Sequence, residues 1–363
     1  MTTEKAARLA GSITRADRSN QLDRGAQPLV TAEDLTVEYV TRRRGLKPAQ
    51  KVSAVDHIDL DISEGETVGL VGESGCGKTT TGRALLGRVP LATGRITFEG
   101  VDISNHSKRQ WRDLHRNIQL IFQDPYASLN PRHTVRDIIA EPLMLHGVRK
   151  GPDLRREVDT LLDMVRLPLA AADRYPHAFS GGQRQRIVIA RAIALRPQFV
   201  VADEPVSALD VSIQAQVIGL LQELQSELGL SYLFIAHNLA VVRQIADRVA
   251  VMYLGRIVEF ADKSSLYSTP RHPYTKALLS AAPIPDPTVD RPGRIVLRGD
   301  PPSPMNPPPG CRFHTRCPLA IPRCSSEQPP LVEVSPGHRV ACWVEADPKT
   351  LVTIKPVTSE PTP

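Results

Sequence analysis

The sequence predicts an α/β fold, in which a mostly parallel sheet is flanked by helices and followed by a small, loop-rich, cysteine-containing C-terminal domain. The first observation is that short apolar runs alternate with helical patterns over most of the chain, as is typical of parallel sheets. The second is a change of composition after about residue 266, where prolines and four cysteines replace this alternation. We therefore expect the C-terminal part to be a linker or a separate domain rather than more of the sheet.

Length and composition are those of an ordinary soluble chain with one large and one small domain. Of the 363 residues, 41% are hydrophobic and 23% are charged. No apolar run approaches the roughly 18–20 residues of a membrane-spanning helix, and no secretory signal is visible, so we expect a chain that does not itself cross a bilayer. The net charge of +6 is spread along the chain rather than gathered in a stripe, which disfavours nucleic acid as a partner.

The N-terminal elements lead to a glycine-rich loop. Residues 1–27 mix charge, serine and alanine without apolar periodicity, which predicts a disordered leader. A basic excursion over residues 41–51 predicts a surface loop between two strands. Strands are predicted over residues 29–40, 54–62 and 67–71, and a helix over residues 80–86.

The loop between the third strand and this helix fits the pattern G-x-x-x-x-G-K-[ST] of a phosphate-binding P-loop. Its glycines let successive backbone N–H groups point into one concavity, and the helix adds its positive N-terminal end. Lys78 is expected to neutralise the β- and γ-phosphates, and the Thr79 hydroxyl to ligate Mg²⁺. The predicted nucleoside triphosphate site comprises Gly72, Glu73, Ser74, Gly75, Cys76, Gly77, Lys78, Thr79 and Thr80.

The later elements follow from the same patterns. A strand that begins at Ile118 breaks at Gln123, and two prolines require residues 125–131 to be a loop. The last two strands surround Gly255, which indicates a hairpin. Further strands are predicted over residues 94–98, 199–204, 231–236, 248–253 and 256–260, and helices over residues 135–167 with breaks at Gly147 and Gly151, 179–194, 211–228 and 238–245.

Polar side chains follow three of these strands at the point where each strand ends. They are Gln123, the pair Asp203 and Glu204, and His237. Ligands of open parallel sheets gather at the carboxyl ends of the strands, so we expect these side chains to lie beside the P-loop. A carboxylate such as that of Asp203 suits Mg²⁺, which prefers oxygen ligands and retains waters.

Together with the signature Ser180-Gly181-Gly182-Gln183 and with Asp210, these motifs resemble the ATP-binding cassette (ABC) ATPases. The resemblance covers roughly residues 28–265, in the family's motif order, with Phe179 where the family usually has leucine. The signature is the specific motif, because a P-loop alone also fits kinases, GTPases and helicases. The resemblance implies the P-loop NTPase fold with a helical subdomain at about residues 124–195.

The resemblance also implies a role for each matched residue, with ATP and Mg²⁺ as cofactors. Asp203 would hold Mg²⁺ with Thr79 and Gln123, Lys78 would bind phosphate, and Tyr39 would stack on adenine, although it could instead pack on the sheet. Glu204 would orient and polarise the attacking water, and His237 would contact the γ-phosphate. The signature would act at the nucleotide of a partner cassette, so a head-to-tail dimer is implied, and Asp210 would be a further nucleotide-binding residue.

A narrower resemblance, to the oligopeptide/dipeptide importers, rests on residues 122–131, 204–212 and 272–275, and looks closest to the second ATPase subunit of oligopeptide systems. It implies ATP-driven peptide import at the cytoplasmic face of the cell membrane, although some relatives handle nickel or glutathione. The implied partners are two membrane permease subunits that meet the Gln123 region, a second ABC ATPase subunit (a paralogue or self) and, indirectly, an extracytoplasmic solute-binding protein. The alternative is a soluble ABC ATPase that acts on nucleic acid or ribosomes, which the pI near 9.1 favours.

The C-terminal cysteines Cys311, Cys317, Cys324 and Cys342 have the spacing C-x5-C-x6-C-x17-C. These gaps are wider than the usual zinc pairs, whereas an iron–sulfur cluster accepts four thiolates from irregular loops. The importer resemblance favours a [4Fe–4S] cluster; Zn²⁺, reduced thiols and adventitious disulfides are the alternatives. The expected domains are a leader (1–27), an ABC ATPase domain (28–265), a proline-rich cysteine domain (266–347) and a disordered tail (348–363).

Overall fold

The computed structural model describes residues 27–40, 51–148, 151–281, 295–297 and 299–346. The predicted leader up to residue 26, the predicted loop at residues 41–50 and the predicted tail lie outside these ranges. The described strands are β1 Val30–Val40, β2 Lys51–Ile62, β3 Thr67–Val71, β4 Thr93–Phe98, β5 Val101–Asp102, β6 Ile118–Ile121, β7 Phe199–Asp203, β8 Ser231–Ala236, β9 Arg248–Tyr253, β10 Arg256–Asp262, β11 Val332–Ser335 and β12 His338–Val340. The described helices are α1 Lys78–Leu85, α2 Lys108–Leu114, α3 Pro125–Ser128, α4 Val135–Leu145, α5 Pro152–Met164, α6 Gly181–Ile193, α7 Val211–Leu228, α8 Leu239–Ile245, α9 Lys263–Ser268, α10 Pro273–Ala281 and α11 Arg323–Ser326.

The central sheet has eight strands in the order β11-β12-β10-β9-β3-β8-β7-β6. Strands β9, β3, β8, β7 and β6 run parallel, and β10, β12 and β11 extend one edge in antiparallel pairs. Every residue of β3, β7 and β8 is buried, which explains why these strands are nearly continuous apolar runs rather than alternating ones. The predicted α/β fold class is confirmed.

A second, antiparallel sheet in the order β2-β1-β4-β5 lies beside the glycine-rich loop. Leu35 and Ile58 from this sheet are buried in the same apolar cluster as Leu70 of β3, so the two sheets share a core. Strand β2 comes close enough to the loop that a Cβ atom on Gly77 would lie 2.2 Å from the Ala54 carbonyl oxygen. The second sheet therefore forms one wall of the loop.

Helices α4, α5 and α6 pack against one another. Their side chains Ile139, Leu161 and Ile189 are buried in the main apolar cluster, and Arg191 donates to the Ser128 carbonyl over 2.7 Å. The helical pattern breaks after α4 around Gly147, as the sequence predicts. These helices fall within the predicted helical subdomain, and α6 also packs against β6 at the edge of the sheet.

The prediction that residues 125–131 form only a loop is wrong. Residues Pro125–Ser128 form the short helix α3, because Asp124 caps it by accepting the Tyr126 N–H over 2.7 Å. Pro125 occupies the first helical position, where a missing N–H costs nothing. The helix α2, which the sequence reading omits, begins with a capping box in which Ser107 and Gln110 satisfy each other's backbone N–H groups.

The expectation that the C-terminal part adds nothing to the sheet is also wrong. Strand β12 pairs with β10, with Glu259 opposite Val340 and Phe260 opposite Arg339. His338 anchors this pairing, because its Nε2 lies 2.7 Å from a carboxylate oxygen of Glu259 and both side chains are buried. Within the parts of the chain that the structure describes, no helix combines the length and apolar character needed to cross a membrane.

Candidate functional site

The P-loop connects the end of β3 to the start of α1, which is the strand–loop–helix order that the sequence predicts. Gly77 has φ 111° and precedes the helix in the left-handed region, which favours glycine. A Cβ atom on Gly72 would lie 2.1 Å from the Met252 carbonyl oxygen, so that position also requires glycine. Lys78 is buried, and its ammonium donates to the carbonyls of Gly72 and Glu73 over 2.8 and 3.0 Å. Two carbonyl groups of the P-loop thus hold the ammonium of Lys78, the side chain that the sequence predicts to bind phosphate.

Thr79 and Asp203 meet at the carboxyl end of β7. The Thr79 hydroxyl donates to Asp203 Oδ1 over 2.9 Å, about the separation of neighbouring ligands in an octahedral Mg²⁺ site with ligand distances of about 2.05 Å. Burial raises the pKa of Asp203, with the Glu204 carboxylate adding to the effect and the Thr79 hydroxyl opposing it. A partly buried carboxylate beside a hydroxyl fits Mg²⁺, which would stabilise the ionised form.

Glu204, Gln123 and His237 come together beside this pair. The Gln123 side-chain amide donates to Glu204 Oε2 over 3.1 Å, and His237 Nδ1 lies 3.3 Å from the same oxygen. Glu204 has φ 45°, a left-handed backbone that is uncommon for a non-glycine residue and is concentrated at functional sites. The three strand ends therefore meet beside the P-loop, as their positions in the sequence indicate.

The signature begins α6, a different helix from the one that follows the P-loop. Ser180 and Gln183 form a capping box, in which the Ser180 hydroxyl accepts the Gln183 N–H and Gln183 Oε1 accepts the Ser180 N–H. Gly182 packs so closely on Ile213 that a Cβ atom there would lie 2.5 Å from the isoleucine side chain. Among the described residues, no hydrogen bond or ion pair joins the signature to the P-loop. Asp210 precedes α7 without a side-chain cap hydrogen bond.

Tyr39 lies near the end of β1 opposite Val52, with 41% of its surface exposed. Val52 stands two residues from Ala54, whose carbonyl forms the wall beside Gly77. Tyr39 is therefore on the part of the second sheet near the P-loop wall, and its stacking on adenine stays a prediction.

Two residues near the P-loop, Tyr274 and Arg316, were not identified from the sequence. The Tyr274 hydroxyl accepts the Glu73 N–H over 2.9 Å, and Arg316 forms an ion pair with the Glu73 carboxylate. Tyr274 belongs to the His272–Thr275 motif, which carries the importer resemblance but no assigned role. Nothing in the local sequence around Arg316 signals this contact.

Known families and relatives match most of the chain. Residues 55–207 match the family described as ABC transporter. The oligopeptide transport ATP-binding protein AppF of Bacillus subtilis is 53% identical over 310 residues, which make up 84% of this chain and 94% of AppF. The chain belongs to the ABC transporter ATP-binding family. The oligopeptide transport ATP-binding protein OppF of Salmonella typhimurium is likewise 53% identical over 304 residues, 83% of this chain and 90% of OppF.

Solved structures of other cassettes share the fold of this ABC protein. The ATP-binding cassette MJ0796, solved as a dimer in a post-hydrolysis state with ADP and Pi, is 26% identical with a TM-score of 0.58, over 64% of this chain and 98% of that chain. The protein cbiO1 from Clostridium perfringens, part of the ABC transporter complex cbiONQ, is 25% identical with a TM-score of 0.58, over 67% and 92% of the two chains. The predicted P-loop NTPase fold of the ABC type is confirmed.

The C-terminal part of the cassette protein has a match of its own. Residues 258–324 match the family described as oligopeptide/dipeptide transporter, C-terminal region. This range contains all but the first two residues of β10, the Tyr274 motif and three of the four clustered cysteines. The narrower resemblance to this importer class is therefore confirmed by both the family match and the relatives.

The four C-terminal cysteines are free thiols, and Cys311 lies within electrostatic range of the other three. The Cys311 N–H donates to the Cys324 carbonyl over 2.8 Å. Burial raises the pKa of Cys311 to about 11, and the charges of the other three cysteines add to the shift. Burial also raises the pKa values of Cys317 and Cys342, so a bound metal would displace protons from these thiols. Among the described residues, no group of three or more His, Cys, Asp or Glu side chains is arranged to hold a single metal ion.

Proposed function

We propose that this cassette is the ATP-hydrolysing subunit that energises peptide import. The observation that carries the proposal is the meeting of Glu204, Gln123 and His237 beside the Thr79–Asp203 pair, within the fold of an ABC ATPase. This arrangement has a phosphate cradle, a cation site and a carboxylate placed for a water nucleophile. It is the full set of groups that phosphoryl transfer to water requires from one chain.

The chemistry follows from where these groups stand. Backbone N–H groups of the P-loop and the Lys78 ammonium bind the β- and γ-phosphates, and Thr79 and Asp203 would hold Mg²⁺, which supplies charge neutralisation between those phosphates. Glu204 accepts a hydrogen bond from the attacking water and orients it toward the γ-phosphorus, while Gln123 and His237 hold the carboxylate in place. The P–O bond to ADP breaks as the bond to water forms, and the products are ADP, inorganic phosphate and a proton.

Substituting Glu204 tests this role most directly. Glu204→Gln keeps the side-chain shape but removes the charge that polarises water, so we expect ATP turnover to fall by roughly 100-fold or more while MgATP still binds. Phosphate release and nucleotide affinity would be measured on the same preparations. Arg166, which pairs with Glu223 on the surface at 2.6 Å, offers a control in Arg166→Gln, which should leave turnover unchanged. Full turnover in Glu204→Gln would contradict the proposal.

The proposed transport partners rest on a groove beside Gln123. It has a volume of about 870 Å³ and lies between the edge strand β6 and the helices α4 and α6. Its lining is mixed in charge and includes the apolar side chain of Leu145, which is 78% exposed. We propose that a permease segment docks here, so that the chain lies on the cytoplasmic face of the membrane, with an extracytoplasmic solute-binding protein acting through the permeases. The lining residues are Arg83, Arg88, Arg112, His115, Gln119, Leu120, Phe122, Gln123, Asp124, Ala127, Ser128, Glu141, Pro142, Leu145, His146, Arg191, Ala192, Leu195 and Asp203.

A pull-down from detergent-solubilised membranes tests the partners. Tagged protein should recover two multi-spanning permeases and, if the cassettes pair as paralogues, a second ABC ATPase. Recovery of ribosomal or DNA-bound proteins without any membrane subunit would contradict transport and favour the alternative of a soluble ABC ATPase. The spread of the net charge of +6 along the chain is the feature that weighs against that alternative.

The proposed function of the four cysteines is to bind a [4Fe–4S] cluster. A single Zn²⁺ would need all four sulfurs about 2.3 Å from one ion, whereas a cluster takes one thiolate at each of several irons and accepts a wider arrangement. The proposal rests on the spacing of the four cysteines and on the importer resemblance, and the charges of the other three cysteines do act on Cys311.

Metal content distinguishes the alternatives. Protein purified without oxygen should contain about four irons and four sulfides per chain and show charge-transfer absorption in the visible range. Cys324→Ser should lose this iron, while Cys76→Ser, which changes the one cysteine outside the cluster, should retain it. One zinc per chain, or no bound metal, would contradict the cluster.

A further inference from the structure

Two side chains from beyond the predicted ATPase domain hold the P-loop at Glu73. The Tyr274 hydroxyl accepts the Glu73 backbone N–H over 2.9 Å. Arg316 Nη1 donates to both carboxylate oxygens of Glu73, at 3.1 and 3.0 Å. The Glu73 carbonyl in turn accepts from the Lys78 ammonium over 3.0 Å. Glu73 is therefore fixed through its N–H, its carboxylate and its carbonyl at once.

A cluster of packed aromatic side chains supports the two contacts to Glu73. Tyr274 packs against Tyr253 and Phe313, with ring centroids 4.7 and 5.4 Å apart. Phe313 is 1% exposed and stands three residues before Arg316, so the aromatic cluster anchors the segment that carries the guanidinium. The Arg316 side chain is 8% exposed, and its Nη1 also donates to the Tyr253 hydroxyl over 3.4 Å. An ion pair this sheltered is screened by salt much less than a surface pair.

We propose that Arg316 and Tyr274 are positioning residues for the P-loop. They set the place of Glu73 and thereby of the Lys78 ammonium, so the C-terminal segment sets the affinity of the site for nucleotide. The proposal rests on the ATPase function proposed above and extends it, because it makes the part of the chain after the cassette a component of the nucleotide site. Both residues act through Glu73 rather than through the nucleotide itself.

The test measures nucleotide affinity and thermal stability in parallel on the full chain. A fluorescent ATP analogue is titrated with Mg²⁺ against the wild type, Arg316→Gln and Tyr274→Phe. We expect each variant to bind about fivefold more weakly, the size of effect expected for one lost hydrogen-bonding partner, and Arg316→Lys to restore part of the affinity. The control is Arg323→Gln. Arg323 belongs to the same C-terminal segment, pairs with Glu327 over 2.7 Å and is 49% exposed, and among the described residues no hydrogen bond or ion pair joins it to the P-loop.

A double-mutant cycle separates positioning from general destabilisation. If Arg316 acts through the Glu73 carboxylate, Arg316→Gln should weaken nucleotide binding in the wild type but have little further effect in a Glu73→Gln background. Affinities within twofold of wild type for both Arg316→Gln and Tyr274→Phe, or an equal loss in the Glu73→Gln background, would overturn the proposal. If Arg316→Gln does not fold, Glu73→Gln and Tyr274→Phe provide the same readout.

The outcome of the affinity titration does not depend on ATP hydrolysis. Failure of the proposed function would be seen as full turnover in Glu204→Gln, whereas failure of the positioning role would be seen as unchanged affinity in the Arg316 and Tyr274 variants. Steady-state ATP turnover of the wild type and of the variants supplies a second, kinetic readout. A positioning role predicts a raised KM with kcat nearly retained, because the reacting groups at Glu204 are untouched.

Discussion

At the residue scale, burial decides which reactive side chains can act. Cys76 lies inside the P-loop, but only 3% of its surface is exposed, and burial raises the pKa of its thiol despite the nearby Lys78 ammonium. A protonated, buried thiol reacts slowly with alkylating reagents. Cys76 therefore serves as a small residue that fills a variable position of the loop rather than as a reactive group.

The buried His272 makes the stability of the fold depend on pH. Burial lowers the pKa of His272 to about 4, although Glu259 opposes the shift and Lys276 adds to it. The ring is neutral, because its Nδ1 accepts the Tyr274 N–H over 3.1 Å. Since the unfolded chain protonates this histidine near its ordinary pKa, the contribution is complete above that value and is lost as the pH falls toward the folded pKa.

We expect acidification from pH 7 to pH 5 to lower the free energy of unfolding by about 2 kcal/mol through His272 alone. The change is measured by urea unfolding at several pH values. In His272→Gln the slope between these pH values should flatten, whereas His177→Gln, at an exposed position, should keep the wild-type slope. Equal slopes in all three proteins would contradict this assignment.

At the element scale, the start of α6 has a capping role, and the family resemblance predicts a second role that can be tested separately. Ser180 caps the helix through the box it forms with Gln183, and the family resemblance places the same hydroxyl at a partner's γ-phosphate. The helix α2 carries an equivalent box formed by Ser107 and Gln110, far from any predicted site. The chain thus contains a matched control for the capping role.

Ser180→Ala and Ser107→Ala should each lower the free energy of unfolding by about 1 kcal/mol, because each removes an N-cap hydroxyl. Only Ser180→Ala should also lower ATP turnover, by roughly 100-fold, since it removes a group that binds transition-state charge. Unfolding and phosphate release are measured on both variants. Comparable turnover in the two proteins would show that the Ser180 hydroxyl only caps its helix.

At the scale of the whole molecule, the signature is predicted to act at the nucleotide of a second cassette rather than at that of its own chain. Among the described residues no hydrogen bond or ion pair joins Ser180 to the P-loop, whereas Gln123, Glu204 and His237 gather beside it at the strand ends. A second cassette placed head to tail would bring its signature to the open face of this nucleotide. Two such interfaces form together, so binding of ATP would favour the closed pair.

We expect Glu204→Gln to elute as a dimer in size-exclusion chromatography with MgATP and as a monomer without nucleotide. The substitution retains ATP, and the retained γ-phosphate holds both signatures in place. Lys78→Ala, which weakens phosphate binding, should remain monomeric under both conditions. A Glu204→Gln protein that binds ATP but stays monomeric would exclude pairing with itself and leave a paralogous cassette as the partner.

The sequence alone determined the α/β fold class, the P-loop, the polar strand ends and the importer class. These features are local: buried strands need apolar runs, Gly77 needs a left-handed turn beside the Ala54 carbonyl, and each motif lies within a short stretch of chain. Only the tertiary structure decided that β12 joins the sheet and that Tyr274 and Arg316 hold Glu73. The contact of Glu73 with Tyr274 spans 201 positions of the sequence, and its contact with Arg316 spans 243. A contact over such a distance leaves no periodicity or spacing in the sequence from which it could be predicted.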